Sequence, residues 1–500
     1  LTPATIEALL NAGTSVSVDT TGGGAEAGDI TINTATISKT AGGDATLTLK
    51  AHNDIKLMQG GISSLSGKLN VVLQADQTGT GTTGIVSKDS FSSVSTNGGD
   101  LTITGKRIDW DNTMGTNAGA GTVWLRPSIA ATVIGIVSSK TAGFELTPAE
   151  LGGITTTGVL RIGSTTAGAM SIAANPSATN AAVLSLESGG AITQTALISA
   201  SKLAVKALGD VTLSNTGNQI SNFAAQLGDG SNLNRNLTFT NYNPLNVGAG
   251  IDGLSGISIQ TSGVYNSGAP DGVITLKQSM GMSITQSAGA TLAGKAVYAE
   301  AIKVVLTESN PTGVIAGKAT GTGATDVFSY KSSNGIQLST VNSFQGIQTS
   351  SSGITYGVEL TGSGVGQDAG AIVNAAAGAA GLKVTTSGAV TLNDGGNTFG
   401  KFQTGSAAAS VSLGNSTALM LDGVSTNNGA LTINNTGGNL TLTGAASTGT
   451  GDIQLTAPNI QLGNATAAAT VSGKNIKLIA TDTYGILSTA GSAGSTLTST

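Results

Sequence analysis

Hydrophobic and polar residues alternate in short runs along most of this chain. One element recurs: a glycine, a small or acidic residue, and then an apolar–Thr–apolar triplet, seen at residues 28–32, 99–103, 209–213, 388–392 and 429–433. The alternation sends the apolar residues to one face of a short strand and Thr to the other. Glycine supplies the positive φ that a tight turn before the strand requires. The pattern therefore predicts a series of turns and short strands.

The spacing of these strands indicates how they are arranged. In the last part of the chain, strands are predicted to begin at Leu431, Leu440, Ile453, Ile460 and Ile476. They form two interleaved series that advance by 22 and 23 residues in one case and by 20 in the other. A strand-based repeat of this length is typical of a solenoid in which each strand pairs in parallel with its equivalent one coil later. The prediction is an all-β parallel β-helix with coils of roughly 20–23 residues.

The same alternation predicts which side chains point into the coils. The apolar positions expected inside are Ile30, Ile32, Leu47, Leu49, Leu101, Ile103, Val211, Leu213, Val390, Leu392, Leu431, Ile433, Ile453 and Leu455. Burying each of them stabilises the fold by about 1.5–3 kcal/mol. The Thr and Gln residues between them are expected to point outward.

Two helical segments and three irregular stretches interrupt the pattern. Thr2-Pro3 and Thr147-Pro148 each place an N-cap Thr before a Pro at the first helical position, and Glu150 completes a capping box in the second. They predict two runs of coils, 1–145 and 146–500, within one continuous rod that is part of a longer chain. The stretches 77–95, 105–128 and 226–250 do not fit the repeat and are expected to be extruded loops.

A longer repeat lies on top of the coil period. Residues 203–223 align with 382–402 at an offset of 179, and the match includes the pairs Gly217-Asn218 and Gly396-Asn397. The triplet Ile-Thr-Gln at 192–194 recurs at 284–286. The longer match indicates that equivalent coils occur in two parts of the chain.

Composition narrows the classes of protein that fit. Only 10% of the 500 residues are charged and 3% are aromatic, whereas 39% are hydrophobic and 74 are Gly. The net charge is −5 and no basic stripe is present, so a nucleic-acid partner is not expected. No apolar run is long enough for a membrane span. The chain has no Cys, which is compatible with export in an unfolded state.

Few residues suggest chemistry. His52 is the only histidine, and with no Cys a zinc site is not expected, so we predict no catalytic residue, metal or cofactor. Trp110 and Trp124, with Arg107 and Arg126, form the richest group of contact-type residues, and we predict them as a partner contact. The alternative is that the two tryptophans plug a junction between coils.

Asparagines that begin an Asn-x-Ser/Thr triplet are candidate glycosylation sites. They are Asn236, Asn415, Asn434, Asn439 and Asn464. Ser and Thr are so frequent that such triplets also arise by chance, and asparagine ladders between coils are the alternative.

Several segments resemble filamentous-haemagglutinin-like exoproteins. They are residues 1–13 (LTPATIEALLNAG), 39–51 (KTAGGDATLTLKA), 160–163 (LRIG) and 191–195 (AITQT), and the resemblance in style covers the whole chain. It implies an adhesin of the two-partner secretion type, exported through an outer-membrane transporter to the surface or surroundings of a Gram-negative bacterium. It also implies that the β-helix is right-handed. The secretion domain of that family is not evident in these residues.

The resulting functional hypothesis is an extracellular fibrous adhesin or spacer that binds a host or bacterial surface glycan or protein. A self-assembling filament or sheath subunit is the main alternative, because flat polar surfaces could pack side by side. A stalk that carries a toxin and a polysaccharide-active β-helix enzyme are the others. An enzyme needs acids or bases that converge in one groove, and the acidic residues are dispersed in the sequence; we therefore expect no enzymatic activity.

Overall fold

The structure is a computed structural model that describes residues 2–22, 28–76, 83–482, 485–488 and 495–499. It is 51% strand and 4% helix. The chain divides into two compact units: unit 1 contains residues 1–243 and 248–255, and unit 2 contains residues 244–247 and 256–500. The boundary predicted at residue 145 therefore falls inside unit 1.

Unit 1 contains two short α-helices and the first 23 strands. The elements are α1 (Pro3–Asn11), β1 (Val16–Asp19), β2 (Ile30–Asn33), β3 (Thr36–Lys39), β4 (Ala45–Lys50), β5 (Ile55–Met58), β6 (Gly61–Ser64), β7 (Leu69–Gln74), β8 (Ile85–Lys88), β9 (Ser93–Ser95), β10 (Leu101–Gly105), β11 (Arg107–Trp110), β12 (Thr116–Gly119), β13 (Val123–Pro127), β14 (Ile134–Ile136), β15 (Phe144–Leu146), α2 (Pro148–Gly152), β16 (Ile154–Ser164), β17 (Met170–Ile172), β18 (Ala181–Ser188), β19 (Ile192–Gln194), β20 (Ser199–Ala207), β21 (Val211–Leu213), β22 (Gln219–Leu227) and β23 (Leu237–Asn241).

The strands of unit 1 form rows of parallel neighbours. One row is β1-β4-β7-β10-β13-β16-β18-β20-β22, a second is β2-β5-β8-β11, and a third is β3-β6-β9-β12-β16. A fourth row, β14-β17-β19-β21-β23, follows. Each strand thus pairs with its equivalent one coil later, which is the arrangement of a β-solenoid.

The long strand β16 changes the number of strands in each coil. Its first residues pair with β12 and its last residues pair with β13, so two rows merge in it. Between the two parts lies Gly158, where a Cβ would stand 2.6 Å from the carbonyl oxygen of Ala120. The bend therefore requires glycine, and coils with three strands give way to coils with one long and one short strand.

Unit 2 contains the remaining strands and one short 3₁₀ helix. The elements are β24 (Leu245–Val247), β25 (Gly256–Ile259), β26 (Val273–Gln278), β27 (Ser283–Gln286), β28 (Thr291–Ala293), β29 (Ala296–Ala301), β30 (Lys303–Asn310), β31 (Val314–Ala319), β32 (Phe328–Ser332), β33 (Ile336–Leu338), β34 (Thr340–Val341), β35 (Phe344–Gln345), β36 (Ile347–Thr349), β37 (Tyr356–Thr361), β38 (Val365–Gln367), β39 (Val373–Ala375), η1 (Ala376–Gly378), β40 (Gly381–Thr385), β41 (Ala389–Leu392), β42 (Lys401–Thr404), β43 (Ser410–Asn415), β44 (Leu419–Leu421), β45 (Val424–Ser425), β46 (Leu431–Asn435), β47 (Leu440–Leu442), β48 (Ala445–Ser447), β49 (Ile453–Ala457), β50 (Ile460–Leu462), β51 (Thr470–Gly473), β52 (Ile476–Ala480), β53 (Ile486–Ser488) and β54 (Thr496–Ser499).

The last coils of unit 2 confirm the predicted parallel register. Leu431 pairs with Ile453, Ile453 pairs with Ile476, and Leu440 pairs with Ile460, all in parallel. These coils contain three strands each, because the short row β45-β48-β51-β54 runs beside the two predicted series. The 20–23-residue spacing read from the sequence is the true coil length here.

The first coils of unit 1 depart from that spacing. Equivalent residues advance by 31 from Val16 to Leu47 and by 37 from Val123 to Leu160, but only by 19 from Leu184 to Leu203. A uniform coil of 20–23 residues is therefore wrong for this unit. Residues added at a corner lengthen a coil without changing the pairing of its strands, so strand pattern and coil length vary independently.

The predicted interior is confirmed at 13 of its 14 positions, since all except Ile30 are buried. Ile30 is partly exposed and lies beside α1 in the first described coil. The intervening Thr31, Thr212 and Thr391 are exposed. Alternation of inward apolar and outward polar residues therefore holds in both units.

Both predicted helices exist. Thr147 caps α2 through a capping box with Glu150, as the sequence indicated. Thr2 precedes α1 but makes no side-chain cap hydrogen bond to it.

The three predicted loops are largely strands. Residues 105–128 contain β11, β12 and β13, and residues 226–250 contain β23 and β24. Residues 85–95 contain β8 and β9, while residues 77–82 of that prediction lie outside the described residues. The prediction failed because these strands follow corners of unusual length, which hide them from a search at fixed spacing.

Buried asparagines join consecutive coils at three equivalent places. Asn218 in unit 1, and Asn310 and Asn397 in unit 2, are each 0% exposed. Each amide oxygen accepts from a Gln Nε2 and from a backbone N–H, and each Nδ2 donates to the same Gln and to two carbonyl oxygens; the Gln partners are Gln194, Gln286 and Gln367. We call these three Gln–Asn pairs the amide hubs. They satisfy backbone groups at corners where the strand pairing stops.

Candidate functional site

The irregular coils of unit 1 form an open cleft of about 490 Å³ beside Trp110. Its lining residues are Lys88, Asp109, Trp110, Asp111, Asn112, Thr113, Ala149, Glu150 and Gly153. We call it the Trp110 cleft. It is supplied by the ends of β8 and β11, the turn after β11, and α2 with the residue that follows. Three carboxylates and one ammonium group therefore converge at a place where the regular coils carry few charges.

Trp110 lies at the base of this cleft and is almost fully buried, with 2% of its surface exposed. Its indole Nε1 donates to Thr116 Oγ1 at 2.9 Å, and its backbone N–H donates to Glu150 Oε1 at 3.0 Å. A buried aromatic side chain with a satisfied N–H contributes mainly to packing. This geometry favours the coil-plug alternative over the prediction that Trp110 is an exposed contact residue.

Lys88 is the only ammonium group in the lining of the Trp110 cleft. Its Nζ donates to the carbonyl oxygen of Ser92 at 2.9 Å and lies 5.7 Å from the centre of the Trp110 ring. Burial lowers the pKa of Lys88, and the charges of Asp111 and Asp89 oppose that shift only in part. The site therefore holds an amine that loses its proton more easily than an exposed lysine.

Glu150 is held rigidly on the other side of the cleft. Its Oε2 accepts from the backbone N–H and the Oγ1 of Thr147, at 2.8 and 2.9 Å, as part of the capping box. Its Oε1 faces Lys140 Nζ at 2.5 Å. Lys140 also contacts Asp109 Oδ1 at 3.3 Å and donates to the carbonyl oxygen of Ile108. One lysine thus bridges two carboxylates from different elements.

The carboxylates of β11 and its turn have separate surroundings. Asp109 Oδ1 accepts from Arg107 Nε at 2.8 Å. Asp111 accepts from the backbone N–H and the Oγ1 of Thr113, and these hydrogen bonds lower the pKa of Asp111. Asp111 therefore carries its charge over the physiological range at the exposed rim of the cleft.

Trp124 lies on a different row, on the outward side of β13. Its ring is flanked by the guanidinium groups of Arg126 and Arg161, whose central carbons are 4.4 and 5.2 Å from the ring centre. Its Nε1 donates to the carbonyl oxygen of Gly163 at 2.7 Å. Trp124 is half-buried, so part of the ring and the arginine beside it face solvent.

A charge network extends from Arg161 across the following strands. Arg161 pairs with Glu187 at 3.2 Å and with Asp252 at 2.5 Å, and Lys206 pairs with the same two carboxylates at 3.3 and 3.6 Å. Burial alone would raise the pKa of Asp252, but the hydrogen bonds from Arg161 and Ser185 outweigh it and lower that pKa. The network fastens the turn that carries Asp252 onto the outer face of unit 1.

The four predicted contact residues therefore belong to two different environments. Arg107 and Trp110 lie at the cleft, whereas Trp124 and Arg126 lie on the outer face of β13. The sequence did not reveal Lys88, Lys140 or Glu150 as partners of this region. Lys140 and Glu150 are only 10 residues apart but lie in an aperiodic segment, so no strand pattern could place them.

Two exposed apolar side chains at adjacent corners were also missed. Phe91 is 69% exposed in the turn between β8 and β9, and Met114 is 57% exposed in the turn between β11 and β12. Because β8 pairs with β11 and β9 with β12, these turns lie on neighbouring coils. We call Phe91 and Met114 the corner pair. Asp89 and Asp111, which stabilise the two turns, are the signal that could have located them.

The five candidate glycosylation sites differ in exposure. Asn434 and Asn439 are exposed, and Asn236 and Asn464 are partly exposed. Asn415 is 0% exposed, and its Nδ2 donates to Asn435 Oδ1 on the next coil at 2.9 Å. Asn415 is thus a ladder residue in the folded chain, as the alternative interpretation held, and glycosylation at the other four stays a prediction.

Comparison with family models, curated proteins and solved structures finds no match to this chain. Among the described residues, no three or more His, Asp or Glu side chains are placed so that they could hold a metal ion. The two α-helices of the described ranges are too short and too polar to cross a membrane.

Proposed function

We propose that this chain is a β-helical segment of a filamentous-haemagglutinin-like exoprotein, and that it serves as an adhesive spacer outside a Gram-negative cell. The observation that carries the proposal is the row architecture of each unit, in which a strand pairs only with its equivalents on neighbouring coils. Such a fold can be lengthened coil by coil without a larger core, which suits a protein whose task is reach.

The proposal includes right-handed winding of the coils. Successive strands in each row are parallel and are joined by connections that pass through the other rows. Connections between parallel strands of one sheet are right-handed in nearly all proteins, because of the twist of the strands. A right-handed β-helix is therefore the form that agrees with both strand chemistry and the family resemblance.

Export through an outer-membrane transporter and release or retention at the cell surface are further parts of the proposal. The chain has no Cys, so no disulfide can form before export. A fold with contacts limited to adjacent coils can also form progressively as the chain emerges.

Contact with a partner requires a departure from the repeated polar rows, and loops on a rigid scaffold commonly provide it. Unit 1 offers the corner pair, Phe91 and Met114, together with Trp124 and Arg126 on the outer face of β13. Exposed aromatic, Met and Arg side chains are enriched in protein interfaces. We therefore place the adhesive contact, with a surface glycan or protein, on unit 1.

Adhesion of coated beads tests this function. Beads that carry the purified chain are applied to cultured epithelial cells and, separately, to Gram-negative bacteria, and retention under flow is compared with albumin-coated beads. We expect retention on at least one surface, and a several-fold loss for the double variant Phe91→Ser, Met114→Ser. Leu65→Ser is the matched control, because Leu65 is 76% exposed at another corner of the same unit. Retention no better than albumin on both surfaces would contradict the adhesive role.

Sedimentation velocity separates the adhesin from a filament or sheath subunit. An adhesive spacer is expected to keep one sedimentation coefficient across a hundredfold range of concentration. A coefficient that rises with concentration, together with a loss of that rise in the corner-pair variant, would instead identify a self-assembling subunit.

A further inference from the structure

We propose that Lys140 and Asp109 become joined by an amide bond between Lys140 Nζ and Asp109 Cγ, with Glu150 as the proton carrier. Lys140 Nζ lies 3.3 Å from Asp109 Oδ1 and 2.5 Å from Glu150 Oε1. An amine between two carboxylates of different surroundings is the arrangement that intramolecular amide formation needs. The proposal is independent of the adhesive function.

The three side chains are held by different elements, which limits their motion. Glu150 is fixed by the capping box and by the N–H of Trp110. Asp109 is fixed by Arg107 at 2.8 Å, and Lys140 donates to the carbonyl oxygen of Ile108. Orientation of reacting groups in contact can replace a large part of the barrier of a reaction between free groups.

Burial adds to this arrangement. The side chains of Lys140 and Glu150 are 14% and 13% exposed, and that of Asp109 is 35% exposed. Reduced access to water weakens the preference for the ion pair over the neutral amine and acid. The buried Trp110 ring follows Asp109 directly in the strand and forms the base of the same cleft.

The reaction balances without an oxidant or any other reagent. A proton passes from the Lys140 ammonium through Glu150 to the Asp109 carboxylate, which leaves a neutral amine and a carboxylic acid. The amine nitrogen attacks Cγ, and Arg107 stabilises the negative oxygen of the tetrahedral intermediate. Glu150 takes the remaining nitrogen proton and delivers it to the hydroxyl that leaves as water. One N–C bond forms, one C–O bond breaks, and the chain loses one water molecule.

The location explains what such a bond would do. Lys140 lies in the segment between β13 and β16, where the advance from Val123 to Leu160 is 37 residues, the longest between the equivalent residues of this row. A covalent link to β11 would tie this excursion to the preceding coil. Because the chain has no Cys, a disulfide cannot serve this purpose.

Tryptic digestion with mass spectrometry tests the proposal directly. Trypsin cuts after Arg107 and Arg161 but not between Arg126 and Pro127, and an amide on Lys140 blocks cleavage there. The linked chain is expected to give one peptide of residues 108–161 that is lighter than its sequence by one water. Fragmentation should yield no backbone breaks between residues 109 and 140. Separate peptides 108–140 and 141–161 at their unmodified masses would overturn the proposal.

Two variants and an internal control keep the test specific. Lys140→Arg retains the positive charge but cannot form the amide, so it is expected to restore the full sequence mass. Glu150→Gln is expected to give the unlinked peptides, and linking at the parent's extent would overturn the role of Glu150. The pair Lys401–Asp422, at 2.7 Å, is the control: Asp422 accepts from Tyr356 rather than facing a second carboxylate. Its Lys401 is expected to be cleaved normally.

Discussion

The coils of residues 389–480 in unit 2 and those of residues 101–164 in unit 1 use the same interior in different ways. In the first, Val390, Val411, Leu431 and Ile453 succeed one another at intervals of 20 to 22 residues. In the second, Leu101, Val123 and Leu160 are separated by 22 and then by 37. Both sets are buried, so the longer coil keeps its core.

The difference lies at the corners. The regular coils have short corners with Gly, Asn and Thr, whereas the irregular coil contains α2, Lys140 and the Trp110 cleft. Strand pairing fixes the interior of both regions, and chemistry is added only where a corner is long. Variants that alter one region and spare the other can test this division.

Removal of Trp110 is expected to have the largest effect. Trp110→Ala leaves a cavity at the base of the cleft and removes the hydrogen bond to Thr116, and it should lower the free energy of unfolding of unit 1 by about 4 kcal/mol. Chemical denaturation, followed by the fluorescence of the remaining Trp124, measures the loss. Trp124→Ala, at a half-buried outer position, should cost about half as much. Equal losses would contradict the coil-plug interpretation.

Removal of an amide hub is the corresponding change in the regular region. Asn397→Ala leaves the side chain of Gln367 and the backbone groups of Val373 and Gly414 without this partner. We expect a loss of about 3 kcal/mol, since unsatisfied buried groups are costly. Faster hydrogen exchange should appear at Val373. The exposed Asn393→Ala is the control, and an equal effect there would argue against the hub.

A single methylene in the regular core should have a smaller effect. Ile433→Val removes one buried methyl-sized group and is expected to cost about 1 kcal/mol. Thr432→Ala, the adjacent outward position, should change stability by less than about 0.5 kcal/mol. Thermal unfolding measures both. A larger effect at Thr432 than at Ile433 would contradict the alternation of faces.

The pH dependence of Lys88 is the smallest expected effect and belongs to the irregular region. Burial lowers the pKa of Lys88 below its ordinary value of 10.5. Between the lowered and the ordinary pKa the unfolded chain binds more protons, so stability rises with pH in that interval. Relative to Lys88→Met, the parent should therefore gain stability as the pH is raised from about 7 towards 10.5. A pH-independent difference between the two proteins would contradict the shift.

The sequence predicted the part of the fold that depends on strand periodicity. The register from Leu431 to Ile476 and the inward positions of the triplets follow from alternation alone. Coil length in unit 1 could not be predicted, because corner residues make no repeating pattern. The Trp110 cleft was located only through its unusual residues, and the convergence of Glu150 and Lys140 depends on a segment without periodicity.

The amide hubs gave a signal that the sequence contained but did not explain. Asn218 and Asn397 occupy the same position in the match between residues 203–223 and 382–402. Gln194 and Gln286 end the two copies of the Ile-Thr-Gln triplet. The repeats therefore mark equivalent corners, but a Gln and an Asn separated by 24 residues can be paired only once the coil length is known.

The equivalence of the hubs has a genetic consequence. Gene segments that encode Asn218 and Asn397, each followed by a strand in the same register, can recombine out of alignment without disturbing the fold at the junction. The product would be shorter or longer by a whole number of coils, with every amide still opposite a glutamine. Variation in length among populations of such genes is then expected to occur in complete coils, with breakpoints near the hub codons.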